Sequence, residues 1–252
     1  MKVAMVEKVN VLLVREVPDP QVGEYDALCK MLYGATCSGT DQHIIAGRFP
    51  WQVKYPTILG HESVGRVIEV GKKVRHLKKG DLVTRVGAPR SPKGDYDVNW
   101  GGFAEYGIAR DHRAMKEDGR PKEDWDSFRV NQVIPEDIPP AAATMIITWR
   151  ETLSYFTRAG FAPGMSLLVL GSGGNGLSFA AHAANIGASR IAMVGSADRK
   201  TVGLKTGVTD YFDYKLPNLT ERVSHVCARG FDYVIDDVGK KGNLDKFLPV
   251  LR

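Results

Sequence analysis

Cysteine is scarce. The 252 residues hold three, Cys29, Cys37 and Cys227. Three cannot build the paired framework of a small secreted domain, nor a structural zinc site of four thiolates. Long apolar runs are also missing. No stretch approaches the about 20 residues needed to span a bilayer. The opening MKVAMVEKVNVLLV alternates like a strand and lacks the apolar block and cleavage site of a secretory leader. The expectation is a cytoplasmic protein with no membrane partner. Charge of one sign is not extreme either. The balance is +5, with 25% charged and 43% hydrophobic residues, a globular composition. The densest basic run, GKKVRHLKKGD (71–81), has no interleaved aromatics and reads as a surface hairpin, so no nucleic-acid partner is expected. Internal repeats and low-complexity tracts are absent.

Helical periodicity is lacking in the first half. MKVAMV, NVLLVREV, DALCKMLYG, SVGRVIEVG, DLVTRVG and GFAEYGIA read as strands separated by Gly, Pro and Asp. The charged insert 109–130, ARDHRAMKEDGRPKEDWDSFRV, has little apolar content and reads as a solvated loop. A helix fits 139–160, between a proline pair and Gly160. The second half alternates: strand 167–171, a small-residue helix, strand 190–194, a helix through DRKTVGLKT, DYFDY, a helix near LTERVSHVCAR, and DYVIDDV (232–238). Such alternation implies a parallel sheet covered on both faces. A full dinucleotide-binding sheet has about six strands, but four can be traced here. A C-terminally truncated chain is therefore expected, or a smaller sheet closed by a partner.

GSGGNG (171–176) fits G-x-G-x-x-G through Gly171, Gly173 and Gly176, between a buried-type strand and a helix. Gly171 permits the tight turn, Gly173 lets backbone approach a pyrophosphate, and Gly176 lets helix and strand pack closely. With Gly174 and Asn175 they open a helix whose free N–H groups suit phosphates. At the end of the next strand, MVGSADRK offers Gly195 and Ser196 where an acidic residue would bind the ribose of NAD. Without that carboxylate, Ser196, Arg199 and Lys200 can receive a 2′-phosphate, so NADP(H) is expected over NAD(H). The other reading has Asp198 turn back to the ribose and NAD used.

SGTDQH, LGHESVGRVIEVG, KKGDLV, WGGFAEY, GSGGNG and GFDYVIDDVG, in this order, resemble the medium-chain dehydrogenase/reductase superfamily on its zinc alcohol and polyol dehydrogenase side. The resemblance implies an α/β protein. It would have a GroES-like β-rich catalytic domain over 1–155 and an incomplete Rossmann NADP-binding domain over 156–252, with the active site in the cleft between them. Family members run about 100 residues longer, which also points to truncation. It implies hydride transfer between nicotinamide and a small alcohol or polyol, or its carbonyl, by an enzyme expected to be a homo-oligomer.

Carried over residue by residue, Thr40 accepts the alcohol proton, His43 passes it to water, His61 of GHE is a zinc ligand or hydrogen-bonding catalytic residue, and Glu62 supports it. The family's first zinc ligand falls on Ser38 and its third on Ile147, neither a good donor. Cys37 is then read as a small buried residue, since neighbouring side chains in an extended segment point oppositely. Cys37 and Glu151 become ligands only if the register slips. The catalytic zinc site is expected to be degenerate, with His61 its one strong donor. No structural zinc is expected. Trp51, Trp100 and Trp149 line a pocket or belong to the core. A zinc-free quinone or enone reductase and a non-catalytic NADP(H)-binding protein are the competing readings.

Overall fold

The computed structural model describes residues 1–37 and 39–252. It divides into two compact units, Met1–Ile147 and Thr148–Arg252. The first unit is built on two four-stranded sheets. One orders β2 (Val11–Glu16), β1 (Lys2–Lys8), β4 (Thr57–Ile58) and β7 (Asp97–Val98); the other orders β6 (Leu82–Thr84), β5 (Glu62–Val70), β3 (Asp26–Ala35) and β8 (Tyr106–Arg110). β3 and β5 pair antiparallel, with two register shifts along their length. Alternate side chains of this sheet, among them Ala27, Cys29, Val67, Val83 and Ala109, form a buried cluster. All six sequence-predicted strands are present. The basic run 71–81 connects the antiparallel partners β5 and β6, as a hairpin should. A short helix, α1 (Thr40–Ile45), follows β3 and buries Ile44 against Val6 and Leu59.

The insert 109–130 is not a solvated loop. It folds into α2 (His112–Glu117), α3 (Lys122–Trp125) and a 3-10 turn. The reason is polar rather than apolar. Asp111 caps α2 by accepting from the Ala114 N–H, and its other oxygen accepts from the Arg75 and His76 N–H groups. The Arg75 guanidinium then donates to the Ala114 carbonyl and to Asp118. Capping and clamping by the 71–81 segment stabilise a helix that its low apolar content would not.

The helix expected over 139–160 is broken in two, α4 (Pro140–Ala143) and α5 (Ile146–Ala159), and α5 ends at Gly160 with φ +77°. A boundary at 155/156 would cut α5. Phe156 of that helix packs into the second unit's core, so most of α5 goes with residues 148–252.

The second unit alternates β9 (Ser166–Leu170), α6 (Gly174–Ile186), β10 (Arg190–Gly195), α7 (Lys200–Lys205), β11 (Asp210–Asp213), α8 (Leu219–Val226) and β12 (Tyr233–Asp236). Its strands are all parallel, in the order β11-β10-β9-β12. Leu167 and Val169 face a cluster with Phe156 and Phe179, whereas Leu168 and Leu170 face one with Val223 and Phe247. A sheet buried on both faces explains why β9 reads as an unbroken apolar run. Because β10 and β12 leave β9 on opposite sides, the chain reverses direction of winding there. The carboxyl ends of β9 and β12 frame the crevice where open α/β sheets bind ligands.

Candidate functional site

In the first unit, one side-chain cluster gathers at the turn from β3 into α1 and at the start of β5. The Cys37 N–H donates to Asp41 Oδ2 at 2.8 Å, fixing the turn. Asp41 is 4% exposed, and its other oxygen lies 3.6 Å from His61 Nδ1. Neither Oδ1 nor Nδ1 has a hydrogen-bond partner among the described residues. Cys37 Sγ accepts from the Thr40 N–H at 3.5 Å and is also hydrogen-bonded to His61 and to the Thr40 hydroxyl. Burial works to lower the His61 pKa, but Asp41, Cys37 and Glu62 outweigh it and raise it to about 9. The same His61 contact draws the Cys37 thiol below its ordinary value, against the opposing effect of burial. Trp100 closes one side, its ring 5.3 Å from that of His61.

The structure therefore brings together Cys37, Thr40, His61 and Asp41, with buried Glu62 next to His61. The expectation for Cys37 is corrected. It is half-buried and faces His61, because β3 ends at Ala35 and strict strand alternation no longer governs residue 37. Thr40 does not cap α1, whose N-cap is Gly39. His43 lies three residues along the same helix and is exposed. Ser38 lies outside the described residues. Ile147 is buried at 2% exposure, and Glu151 is an exposed residue of α5. Trp51 and Trp149 are exposed at 58% and 40%, so of the three tryptophans only Trp100 stands beside His61. Asp41 was missed as a separate candidate, though it sits inside the SGTDQH motif.

Does this cluster fit a catalytic zinc, which takes three protein ligands? Cys37 and His61 supply a thiol and an imidazole, and Asp41 reaches the ring rather than a shared point. Among the described residues no group of three or more His, Cys, Asp or Glu is arranged to hold a metal ion. The described donors fall one short of the set.

The second unit fits a dinucleotide better. A side chain on Gly176 would overlap the Gly171 carbonyl oxygen, so helix and strand pack here only without a Cβ. Gly171 has φ +120°, a backbone conformation that favours glycine. Gly173, Gly174 and Asn175 are exposed, so the backbone of the turn is open to a ligand. At the end of β10, a Cβ on Gly195 would collide with Ser172 and with the Tyr211 hydroxyl. Position 195 therefore has no room for an acidic side chain. The Ser196 N–H donates to Ser172 Oγ at 3.2 Å, and its carbonyl accepts from Tyr211 Oη at 2.7 Å. The Ser196 hydroxyl hydrogen-bonds the Asp198 carboxylate and, with Arg199 nearby, holds that carboxyl below its ordinary range. Arg199 and Lys200 are exposed. Ser172 and Tyr211 were not predicted from the sequence. Their roles arise from packing across β9, β10 and β11, which leaves no local pattern.

Residues 23–119 match the alcohol dehydrogenase GroES-like domain. An NADP-dependent isopropanol dehydrogenase of Entamoeba histolytica is 30% identical over 231 residues, covering 86% of this chain. The chain spans 60% of that relative's length. A Sinorhizobium meliloti dehydrogenase solved with NADP bound superposes with a TM-score of 0.75 at 25% identity, covering 93% of this chain and 69% of that one. A zinc-dependent alcohol dehydrogenase of Streptococcus pneumonia superposes with a TM-score of 0.75 at 26% identity, over 100% of this chain and 73% of that one. The GroES-like match, the β11-β10-β9-β12 parallel sheet and the glycine turn make the chain similar, over most of its length, to the alcohol dehydrogenases of the medium-chain dehydrogenase/reductase superfamily.

Proposed function

We propose that the protein is an NADP(H)-dependent oxidoreductase that moves a hydride between nicotinamide and a small alcohol or polyol, or the corresponding carbonyl. One observation carries the reading: a glycine turn whose Gly176 admits no side chain opens α6 directly after β9, and the end of β10 has no room for the carboxylate that would favour NAD. The NADP-dependent isopropanol dehydrogenase relative and the NADP-bound structural neighbour support the same preference. Gly173, Gly174, Asn175 and Gly176 hold the diphosphate through backbone N–H groups, while Gly171, whose own N–H donates to the Val194 carbonyl, makes the turn. Ser196, Arg199 and Lys200 receive the 2′-phosphate, with the Ser196 hydroxyl exchanging Asp198 for the phosphate.

Nicotinamide, when bound, supplies the two-electron hydride acceptor or donor. In the oxidation direction it would take up the hydride of the broken carbinol C–H bond, and the protein's own part is to lead the hydroxyl proton away. Thr40 Oγ1 receives that proton and releases its own, and His43, exposed on the same helix, passes it to solvent. His61, charged at neutral pH, donates to the substrate oxygen, and Asp41 and Glu62 keep it charged. No step here is routed through zinc, because the described donors do not complete a ligand set. That incompleteness favours a second reading, a zinc-free reductase acting on an activated C=C bond. We place the protein in the cytoplasm as a homo-oligomer acting on small molecules; no helix among the described residues is long and apolar enough to cross a membrane.

The test is turnover of NADP with a panel of small alcohols and polyols, against turnover of NADPH with quinones and enones. Alcohol oxidation that collapses in Thr40→Ala supports the proposal. Activity confined to activated double bonds supports the second reading, and tight NADPH binding without any turnover supports a non-catalytic role.

A further inference from the structure

Asp237 stands where the glycine turn should meet an anion. It follows β12 at the topological switch of the sheet, and its N–H extends the ladder by donating to the Leu170 carbonyl. Its Oδ2 accepts from the Gly176 N–H at 3.0 Å, and the Asn175 side chain also bonds it. The same oxygen lies 3.5 Å from the place a Cβ would occupy on Gly171 and also on Gly173. The carboxylate thus fills the space left by two missing side chains and takes one of the free N–H groups that open α6. The N-cap residue itself, Gly173, makes no side-chain cap. Aspartate oxygen and phosphate oxygen ask for the same donor, and two anions a few ångströms apart repel strongly in a half-buried crevice.

We propose that Asp237 is a resident stand-in for a cofactor phosphate oxygen, and that its carboxylate must yield the Gly176 N–H when a dinucleotide binds, so that this one residue sets the affinity. The inference rests on the dinucleotide reading above. The groups that face the carboxylate are few. β12 contributes Asp236, whose own oxygen is occupied by the Val238 and Gly239 N–H groups and Asn243. α6 contributes the Asn175 amide and the Gly176 N–H, and the turn contributes backbone alone. Burial raises the Asp237 pKa, and Asp236 adds to it against the two hydrogen bonds. The anion is therefore less favoured than that of a free aspartate, and lowering the pH should help to release the N–H.

Equilibrium titration with NADPH and NADH tests this on the intact protein, comparing wild type with Asp237→Asn and Asp237→Ala at about pH 8 and about pH 5. Both variants are expected to bind about tenfold or more tightly than wild type at the higher pH. The gap should narrow at the lower pH, and the variant-to-wild-type ratio cancels titration of the ligand's own phosphate. Wild type alone should bind NADH more tightly as pH falls, which keeps the test open if a variant melts early. Equal or weaker binding by folded variants at both pH values overturns the proposal and leaves the function intact. Failure of every folded form to bind either dinucleotide overturns the function reading, and the proposal with it.

Discussion

Asp41 Oδ1 and His61 Nδ1 stand 3.6 Å apart, both buried, and neither has a hydrogen-bond partner among the described residues. This pairing, with Cys37 and Glu62, holds His61 protonated up to about pH 9. Asp41→Asn keeps the shape and removes the charge. The His61 titration, followed by NMR of its ring protons, should then fall by about 2 pH units. The linkage has a definite sign. A histidine whose pKa is raised on folding adds stability that is complete below its ordinary value of 6.5 and disappears as pH rises through about 9. Thermal melts of wild type should therefore lose stability across that window, and Asp41→Asn should lose less. An unmoved His61 titration in the variant would show that Asp41 is not its main charge partner.

Gly195 is fixed by packing as well as by cofactor choice. Gly195→Asp should not convert the protein to NADH, because the new side chain meets Ser172 and Tyr211 before it reaches a ribose. It should instead lower the melting point, at a cost of about 1–3 kcal/mol typical of overpacking. Clearing the space with Ser172→Gly and Tyr211→Phe beside Gly195→Asp should recover part of the stability. NADH affinity gained by the single variant would contradict this.

Arg199 and Lys200 are expected to act on the 2′-phosphate alone. Replacing both with alanine should weaken NADPH binding by about tenfold or more and leave NADH binding nearly unchanged. An equal loss for the two cofactors would place these side chains elsewhere on the ligand. Both residues are exposed, so melting should change little.

Asp111 is the keystone of the insert. It is 2% exposed and accepts from the Ala114, Arg75 and His76 N–H groups. Burial opposes its ionisation, yet these three donors outweigh burial and hold its pKa below the usual carboxylate range. The stability it adds is thus present above the unfolded-state pKa and is lost as pH falls through the lower folded value. Asp111→Ala should cost about 2–3 kcal/mol in chemical unfolding, combining a lost cap with two orphaned backbone donors. It should also raise hydrogen exchange over 109–130.

Much of this was readable from residue order, and the failures have specific causes. The six strands of the first half announce themselves by alternation and turn residues. β9 and the glycine turn do so by an apolar run meeting G-x-G-x-x-G. The insert 109–130 misleads because its helices depend on Asp111 and on Arg75, about 36 residues earlier, while sequence patterns report local apolar spacing. Cys37 misleads because alternation was extended two residues past the end of β3. Ser172, Tyr211 and Asp237 acquire meaning only when β9, β10, β11 and β12 lie side by side. Asp237 alone left a clue, an acidic residue at the carboxyl end of a parallel strand, where such sheets meet their ligands.

The central claim is that the turn from β9 into α6 carries a phosphorylated nicotinamide dinucleotide. Calorimetric titration of the folded protein with NADPH and with NADH, under one set of conditions, tests it most directly. NADPH binding at one site, at least about tenfold tighter than NADH and abolished by Gly176→Val, is the predicted result. Binding of neither, or a clear preference for NADH, would contradict it.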